Sequence, residues 1–373
     1  MKEDVIYIMT QPMTKNSYWA GLIISGIREA AAVYHDTVMR IDPDDPAHDP
    51  SGRHVLVVGN NIDWVGASAT GLSRRGAFPM IVNACMLPVG KLRCSGVTFE
   101  LEEMIERLTS LLAGAGRKHT VLLGVNPNSL ADSVKADFFA KSVPTLNPGD
   151  IIWSRGSLEE CVEEFAAGLS GNFRDAVICS NDTVAISLVK RLTALGYNVP
   201  EDICVIGMGN SYVGANMKKR LTSVMFDYHE MGKMSVGLYH DLIRRETPCH
   251  MTLSLPCGLI VRDTAPLPDR PVIPETPRAI GDPPTGYFDG DEVQNIIRVE
   301  TMLQSCDAFD REIIFGISRG KSCDMIAESL FFSGRAIRYR LSRLIREYAF
   351  RDRADLESSV RRALGEISSE KET

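Results

Sequence analysis

The sequence predicts an α/β protein made of two doubly wound lobes, followed by a small all-α domain. From residue 5 to about residue 264, short β-branched runs alternate with helical patterns. Most of these runs are continuously apolar, as strands covered on both faces require. Residues 307–364 show helical spacing only. A length of 373 residues allows two or three domains.

The individual elements follow from these patterns. Strands are predicted at Val5 to Met9, Thr37 to Ile41, His54 to Gly59, Pro79 to Asn83, Thr120 to Gly124, Ile151 to Ser154, Ala176 to Ser180 and Cys204 to Gly207. Helices are predicted at Ser17 to Tyr34, Leu101 to Ala113, Leu158 to Leu169 and Thr183 to Leu195, the last with Gly196 as its C-cap. The stretch Asp42 to Arg53, with three prolines and four aspartates, is predicted as a loop.

Composition excludes several classes of protein. A net charge of -7 argues against a surface that coats nucleic acid or an anionic membrane everywhere. The start lacks a secretory pattern, and no apolar run reaches membrane length, so we expect a soluble, cytoplasmic protein. Nine cysteines without a Cys-x-x-Cys pair indicate reduced thiols, not a disulfide framework or a zinc site. No phosphate-binding, nucleophile-elbow or histidine-pair motif is present, so we predict no metal, no cofactor and no enzyme activity.

A proline-rich segment separates the two parts of the chain. Seven prolines fall within residues 265–286, too many for a helix or an inner strand. We therefore predict a two-lobed domain at 1–264, a linker at 265–290 and a small all-α domain at 291–373. Within the last, Asp291 to Ser305 is predicted as an amphipathic helix that packs either on the last domain or on a symmetry mate.

The carboxyl-terminal domain contains one strongly two-faced helix. Asp307 and Ser322 are predicted N-caps, Gly320 ends the first helix, and Phe331-Phe332-Ser333 forms a turn into a helix over 334–348. On that helix Ile337, Leu341, Leu344 and Tyr348 share one face. The other face carries Arg335, Arg338, Tyr339, Ser342, Arg343 and Arg346. Segment 335–353 has a local charge of +5 in an acidic chain. Charge alone would favour a solvated surface helix, and the alternative is a face offered to an anionic partner.

The segments 323–333, 335–341 and 351–356, taken in order, resemble the LuxR-type helix-turn-helix. The resemblance implies double-stranded DNA as a partner. Arg338, Tyr339, Ser342 and Arg343 would face the major groove or nearby phosphates, with Arg335 and Arg346 beside them. The family usually has Thr where Ala336 stands and Lys where Arg338 stands, so one phosphate contact is lost and the charge is kept.

A second resemblance covers residues 5–264. The stretches 175–182, 194–207, 221–232 and 258–264 are similar to the effector-binding core of the lac/galactose repressor family, which has the type I periplasmic-binding-protein fold. This implies a first lobe of 5–95 and 227–249, a second lobe of 96–226 and 250–264, and three crossings between them. It also implies a homodimer. Members usually carry their helix-turn-helix before the sensor, whereas here the basic module follows it.

The same resemblance places a ligand between the lobes, at the carboxyl ends of the strands. Candidate residues are Thr10, Gln11, Tyr18, Trp19, Asn60 and Asn83 in the first lobe, and Ser129, Trp153, Asn181, Asp182 and Asn210 in the second. These side chains suit a small polar metabolite such as a sugar, a nucleoside or an amino-acid-like compound. Tyr18 and Trp19 equally suit packing, and Asn181 or Asp182 equally suits helix capping. Sugar-binding relatives have Asp where Gly209 stands and Arg near Val134, so that clamp for hydroxyl groups is missing.

Three functions remain open from the sequence. The first is a ligand-responsive transcription regulator, in which effector binding alters operator binding. The second is a solute-binding receptor of a transport system, which the added basic module disfavours. The third is a regulator whose sensor lobes mediate only dimerisation or protein contacts.

Overall fold

The computed structural model describes residues 4–12, 18–42, 48–83, 93–143, 145–171, 173–245, 247, 249–268 and 290–366. Most of the predicted linker and part of the predicted loop at 42–53 lie outside these residues. No described helix is both long and apolar enough to cross a membrane.

Two six-stranded sheets form the larger part of the described chain. The strands are β1 (Val5–Thr10), β2 (Thr37–Arg40), β3 (His54–Val58), β4 (Phe78–Val82), β5 (Ser95–Phe99), β6 (Thr120–Val125), β7 (Ile151–Trp153), β8 (Ala176–Cys179), β9 (Cys204–Met208), β10 (Thr222–Met225), β11 (Thr252–Leu255) and β12 (Gly258–Ile260). The first sheet has the order β11-β5-β4-β3-β1-β2 and is parallel throughout. The second has the order β12-β10-β9-β8-β6-β7, and only β12 is antiparallel to its neighbour. The predicted α/β fold with two lobes is confirmed.

Helices cover the sheets and make up the carboxyl-terminal region. They are α1 (Tyr18–Tyr34), α2 (Ile62–Arg74), α3 (Leu101–Gly114), α4 (Leu130–Ser142), α5 (Leu158–Gly168), α6 (Asp182–Ala194), α7 (Tyr212–Asn216), α8 (Tyr228–Ile243), α9 (Asp291–Ser305), α10 (Ala308–Ser318), α11 (Cys323–Ser329), α12 (Gly334–Glu347) and α13 (Arg353–Ala363). In the first lobe α1 and α8 can approach closely because Gly26 has no side chain. A Cβ at this position would lie 2.0 Å from the His229 carbonyl oxygen. Gly196, at φ +84°, follows α6 as predicted.

Two strands correct the lobe boundaries. Ser95–Phe99 pairs in parallel with β4, and Thr252–Leu255 pairs in parallel with β5, so both strands lie in the first sheet. The sequence had assigned residues 96–99 and 252–255 to the second lobe, which is wrong. The chain changes sheets after β5, after β10 and after β11. Both strands are short and neither is a continuous apolar run, so their strand partners decide to which lobe they belong.

The second lobe and the carboxyl-terminal helices share one hydrophobic core. Leu188 and Val205 of the lobe belong to the same buried cluster as Ile296 and Leu303 of α9 and Ile337 of α12. Helix α9 packs on α5, α6 and α7 and also on α13. The predicted packing of this helix on the last domain is therefore confirmed, and the second lobe is a further partner that the sequence did not reveal.

In the helical bundle α10–α13, the first three helices begin where the sequence predicted. The side chains of Asp307, Ser322 and Ser333 accept hydrogen bonds from the backbone at the third residue after each cap. Gly320, at φ +77°, follows α10. Helices α11 and α12 are thus two short helices joined by a tight turn at Phe331 and Phe332.

Candidate functional site

The predicted ligand residues gather at the carboxyl ends of the strands of both lobes. Thr10 ends β1, Asn60 follows β3 and Asn83 follows β4 in the first lobe. Ser129 follows β6 and Asn210 follows β9 in the second. This is the edge of an open parallel sheet at which ligands bind in α/β proteins.

Several of these polar groups hold the two lobes to each other. Asn60 Nδ2 donates to Ser129 Oγ at 3.0 Å, and Asn60 Oδ1 accepts from the Ala131 amide at 3.0 Å. The Asn60 carbonyl accepts from the Leu130 amide at 2.7 Å. Gln11 Oε1 accepts the amides of Asn60 and Asn61, both at 3.0 Å. We call the Asn60–Ser129–Ala131 contact the interlobe clasp. Predicted ligand groups thus serve, in this conformation, to close the lobes.

In the second lobe the predicted residues belong to a buried polar network. Asp182 is fully buried; its Oδ1 accepts from Ser223 Oγ and its Oδ2 from the Ser211 amide, both at 2.6 Å. Asn210 Oδ1 accepts from Arg262 Nη2 at 2.6 Å. Burial raises the pKa of Asp182, and the hydrogen bonds from Ser211 and Ser223 oppose that rise. Asp182 and Asn210 therefore hold the loop that follows β9, which is a structural role that the ligand hypothesis did not include.

Helix capping accounts for a further predicted residue. Asn181 is the N-cap of α6, and its side chain accepts from the Val184 amide at 3.0 Å. Of the two predicted roles of this residue, the capping role is the one observed.

The predicted aromatic residues do not meet between the lobes. Trp19 is 2% exposed and belongs to a hydrophobic core, with its ring 6.1 Å from that of Tyr228, so packing is its observed role. Trp153 is 38% exposed at the edge strand β7. It lines a groove of about 750 Å³ formed only by residues 146–174 of the second lobe. Tyr18 begins α1, and its side chain lies outside the described part of the structure.

Two buried polar residues of the first lobe stay without a demonstrated role. Thr10 is 8% exposed, and its hydroxyl has no hydrogen-bond partner in the described part of the chain. Asn83 is 7% exposed and adopts φ +106°, a backbone conformation that residues other than glycine rarely adopt. Both lie where a ligand between the lobes would reach the first sheet.

The sequence missed a buried charged pair at the start of α4. Lys135 Nζ donates to Asp132 Oδ1 at 2.8 Å and to the Ser180 carbonyl at 2.7 Å. Lys135 directly follows Val134, the position near which sugar-binding relatives have an arginine that this chain lacks. A cation is thus present one position further on, held between the ends of β6 and β8. The Asp-x-x-Lys spacing on one helix face was the signal that could have identified it.

Tyr228, at the start of α8, was also missed. Burial raises the pKa of its hydroxyl, with Cys257, Asp132 and Asp182 acting in the same direction. Asp132 and Asp182 lie in helices of the second lobe and Cys257 in the connection between β11 and β12. The Tyr228 ring also lies 6.1 Å from that of Trp19 in the first lobe, so Tyr228 lies where the lobes meet. Among the described residues, no cluster of three or more His, Cys, Asp or Glu side chains could hold a metal ion.

The second candidate site is the outer face of α12. Ile337, Leu341 and Leu344 are buried in the core. The six residues predicted to contact DNA are all exposed: Arg335, Arg338, Tyr339, Ser342, Arg343 and Arg346. The two-faced character of this helix is therefore confirmed. We call these six residues the arginine face.

Ion pairs divide the arginine face into anchored and unanchored groups. Arg338 Nη1 lies 3.1 Å from Asp324 Oδ1, in an exposed pair. Arg343 Nη2 lies 2.5 Å from Asp310 Oδ2, a carboxylate that is 1% exposed. Arg340, which the sequence did not single out, also contacts Asp310, at 2.9 Å. Within the described residues, Arg335 and Arg346 have no hydrogen bond or ion pair, so their guanidinium groups stay available to an anionic partner.

The two-lobed part of the chain is similar to known domains. Residues 109–265 match the family model described as a periplasmic binding protein-like domain.

Particular proteins share parts of this chain. The HTH-type transcriptional repressor PurR of Vibrio vulnificus is 34% identical over 123 residues, which are 32% of this chain and 36% of the repressor, so the chain spans about a third of that relative's length. The solved complex of the transcriptional regulator CelR with cellobiose superposes with a TM-score of 0.58 at 17% identity, covering 71% of this chain and 85% of CelR. The Lac repressor dimer bound to operator and the anti-inducer ONPF gives a TM-score of 0.57 at 16% identity, covering 71% and 94%. These structures have the same fold as the two-lobed domain.

Proposed function

We propose that this protein is a ligand-responsive, DNA-binding transcription regulator. A small polar effector bound between the lobes alters operator binding by α11 and α12, which act as a LuxR-type helix-turn-helix. The observation that carries the proposal is the exposed arginine face of α12, backed by buried Ile337, Leu341 and Leu344. The similar proteins named above are regulators by their descriptions, and none is an enzyme.

The arginine face fits the major groove of DNA. In a helix-turn-helix the second helix enters the groove with its amino-terminal residues toward the bases. Arg335, Arg338 and Tyr339 lie in the first two turns of α12 and would approach base edges, while Ser342 and Arg346 would approach phosphates. Operators are commonly read by symmetric dimers, so we propose a homodimer working in the cytoplasm, where the DNA is.

The effector is proposed to be a small polar metabolite. The cellobiose complex of CelR makes a sugar the first class to examine. Lys135, Tyr228, Thr10 and Asn83 are the polar side chains at the meeting of the lobes that a hydroxyl-rich ligand would use. A thermal-shift screen of sugars, nucleosides and amino acids tests this, because a ligand at 100 times its Kd stabilises a protein by about 2.7 kcal/mol.

DNA binding is tested with a duplex that the protein itself selects from a random pool. Fluorescence anisotropy should show about a 100-fold weaker affinity for Arg335→Ala combined with Arg338→Ala. Arg343 is left unchanged, because removing it would uncover the buried Asp310 carboxylate. Arg28→Ala, at an exposed position of α1, is the matched control and should bind like the wild type. Failure to enrich any duplex would refute the proposal.

The interlobe clasp favours a second candidate function. Since Asn60 and Ser129 already bond to each other, the closed lobes have no need of a ligand to satisfy these groups. A regulator whose sensor lobes serve only dimerisation or protein contacts would fit this observation. It predicts DNA binding without any stabilising metabolite, which the two experiments together distinguish from the first candidate. No observation favours a transport receptor.

A further inference from the structure

The loop between β9 and α7 is held by two buried carboxylates that come from different parts of the protein. Asp182, at the start of α6, accepts the Ser211 amide at 2.6 Å. Glu300, from the middle of α9, accepts the next two amides: Oε1 takes that of Tyr212 at 2.9 Å and Oε2 that of Val213 at 2.6 Å. The amide of Ser211, which ends the loop, is thus bound by a carboxylate of the second lobe, and the next two amides, in the first turn of α7, are bound by a carboxylate of α9.

The loop lies at the carboxyl-terminal edge of the second sheet. It starts at the carboxyl end of β9, the edge at which a ligand between the lobes would bind. The Asn210 amide donates to Ser223 Oγ at 2.9 Å, and Ser223 Oγ donates in turn to Asp182. Hydrogen bonds thus connect this edge to the Ser211 amide, which directly precedes the two amides that Glu300 binds.

Burying the carboxylate of Glu300 between α9 and the second lobe costs free energy of desolvation. The side chain is 2% exposed, and within the described residues its remaining partner is Gln304 Nε2, at 2.8 Å. Burial raises the pKa of Glu300 to about 7, against the opposing effect of the two amide donors. An apolar side chain would dock α9 without the desolvation cost of a carboxylate. The carboxylate adds directional hydrogen bonds to the Tyr212 and Val213 amides, which an apolar contact would lack.

The other side of α9 holds the end of the DNA-reading helix. Arg298 donates to the Tyr348 carbonyl from Nε at 3.1 Å and from Nη2 at 2.9 Å, and Tyr348 is the C-cap of α12. Its guanidinium also lies 3.8 Å from the centre of the Phe350 ring. Two residues along a helix point about 200° apart, so Glu300 and Arg298 face opposite partners.

We propose that Glu300 is a positioning residue that couples the cleft to α12, through the 209–213 loop on one side of α9 and Arg298 on the other. This inference rests on the proposed DNA-binding function. Coupling between two sites is reciprocal, so DNA bound at α12 alters the affinity of the cleft for its effector by the same factor by which the effector alters DNA binding, and the loop at the cleft should respond to DNA alone. The effector therefore need not be known for a test.

The test uses the full chain, a duplex selected from a random pool, and hydrogen exchange of the Asn210 and Ser211 amides, which do not bond to Glu300. In the wild type, saturating duplex should change their exchange rates at least about fivefold. In Glu300→Gln, which places a donor opposite one loop amide, that change should disappear while DNA affinity stays within about threefold. Glu312→Gln, at an exposed position of α10, is the matched control and should behave as the wild type.

Arg298→Met tests the opposite end of the path and decides the matter if Glu300→Gln does not fold. It should also abolish the response of Asn210 and Ser211 to DNA. The inference is overturned if the wild-type chain binds DNA without a response at the loop, or if either variant keeps the full response. A chain that binds no selected duplex would instead remove the proposed function itself, and the coupling with it.

Discussion

Arg343 of the arginine face and Asp310 of α10 form a pair in which the carboxylate is buried and the guanidinium is partly exposed, with 2.5 Å between Nη2 and Oδ2. The exposed surface of α12 is therefore tied to the interior of the bundle. A guanidinium pinned in this way has lost conformational freedom before DNA arrives, which lowers the entropic cost of binding.

Asp310→Ala should destabilise the protein by about 2 kcal/mol, because Arg343 and Arg340 lose charge-assisted hydrogen bonds to this buried carboxylate. Urea denaturation measures the change. Asp324→Ala removes the 80%-exposed partner of Arg338 and serves as the control, with an expected loss below about 1 kcal/mol. Equal losses for the two variants would contradict the assigned role of Asp310.

DNA affinity should depend steeply on salt. With about four phosphate contacts per subunit, the logarithm of affinity falls against the logarithm of salt concentration with a slope near 0.9 for each neutralised phosphate. Arg346→Ala should lower the slope by about one such step, because this unpaired guanidinium lies at the phosphate side of α12. A mobility shift that does not respond to salt would speak against the arginine face as the binding surface.

The stability of the protein should depend on the protonation of Glu300. Its pKa in the folded protein, about 7, lies above the usual 4.5, so the fold favours the protonated carboxyl. The contribution to stability is present below about pH 4.5 and is lost as pH rises through about 7. Glu300→Gln should therefore show a smaller fall in the free energy of unfolding between about pH 5 and pH 8 than the wild type. Identical pH profiles, measured by urea denaturation, would show that Glu300 does not titrate in this range.

Breaking the interlobe clasp should open the lobes. Asn60→Ala removes the bonds to Ser129 and Ala131, and small-angle X-ray scattering should then report a larger radius of gyration. Asn147→Ala, in an exposed loop of the second lobe, is the control and should leave the radius unchanged. An unchanged radius in Asn60→Ala would mean that other contacts close the lobes.

Sequence patterns were sufficient for much of the fold because they are local. Continuous apolar runs identified eight strands, and the spacing of Ile337, Leu341 and Leu344 identified the buried face of α12. The strands at Ser95–Phe99 and Thr252–Leu255 escaped because neither is a continuous apolar run, so only their pairing in the first sheet identifies them. For the candidate ligand residues, the sequence indicated the correct edge of the sheets but not the partners of their polar atoms.

Residue periodicity, caps and charge by themselves determined the two kinds of domain, their order along the chain and the exposed arginine face. Only the tertiary structure decided that Asn60 bonds across the cleft, that Asp182 and Glu300 share one loop, and that α9 joins the bundle to the second lobe. The physical reason is that these contacts link residues from about 30 to more than 80 positions apart, where direction and burial depend on how whole elements pack and not on any neighbouring residue.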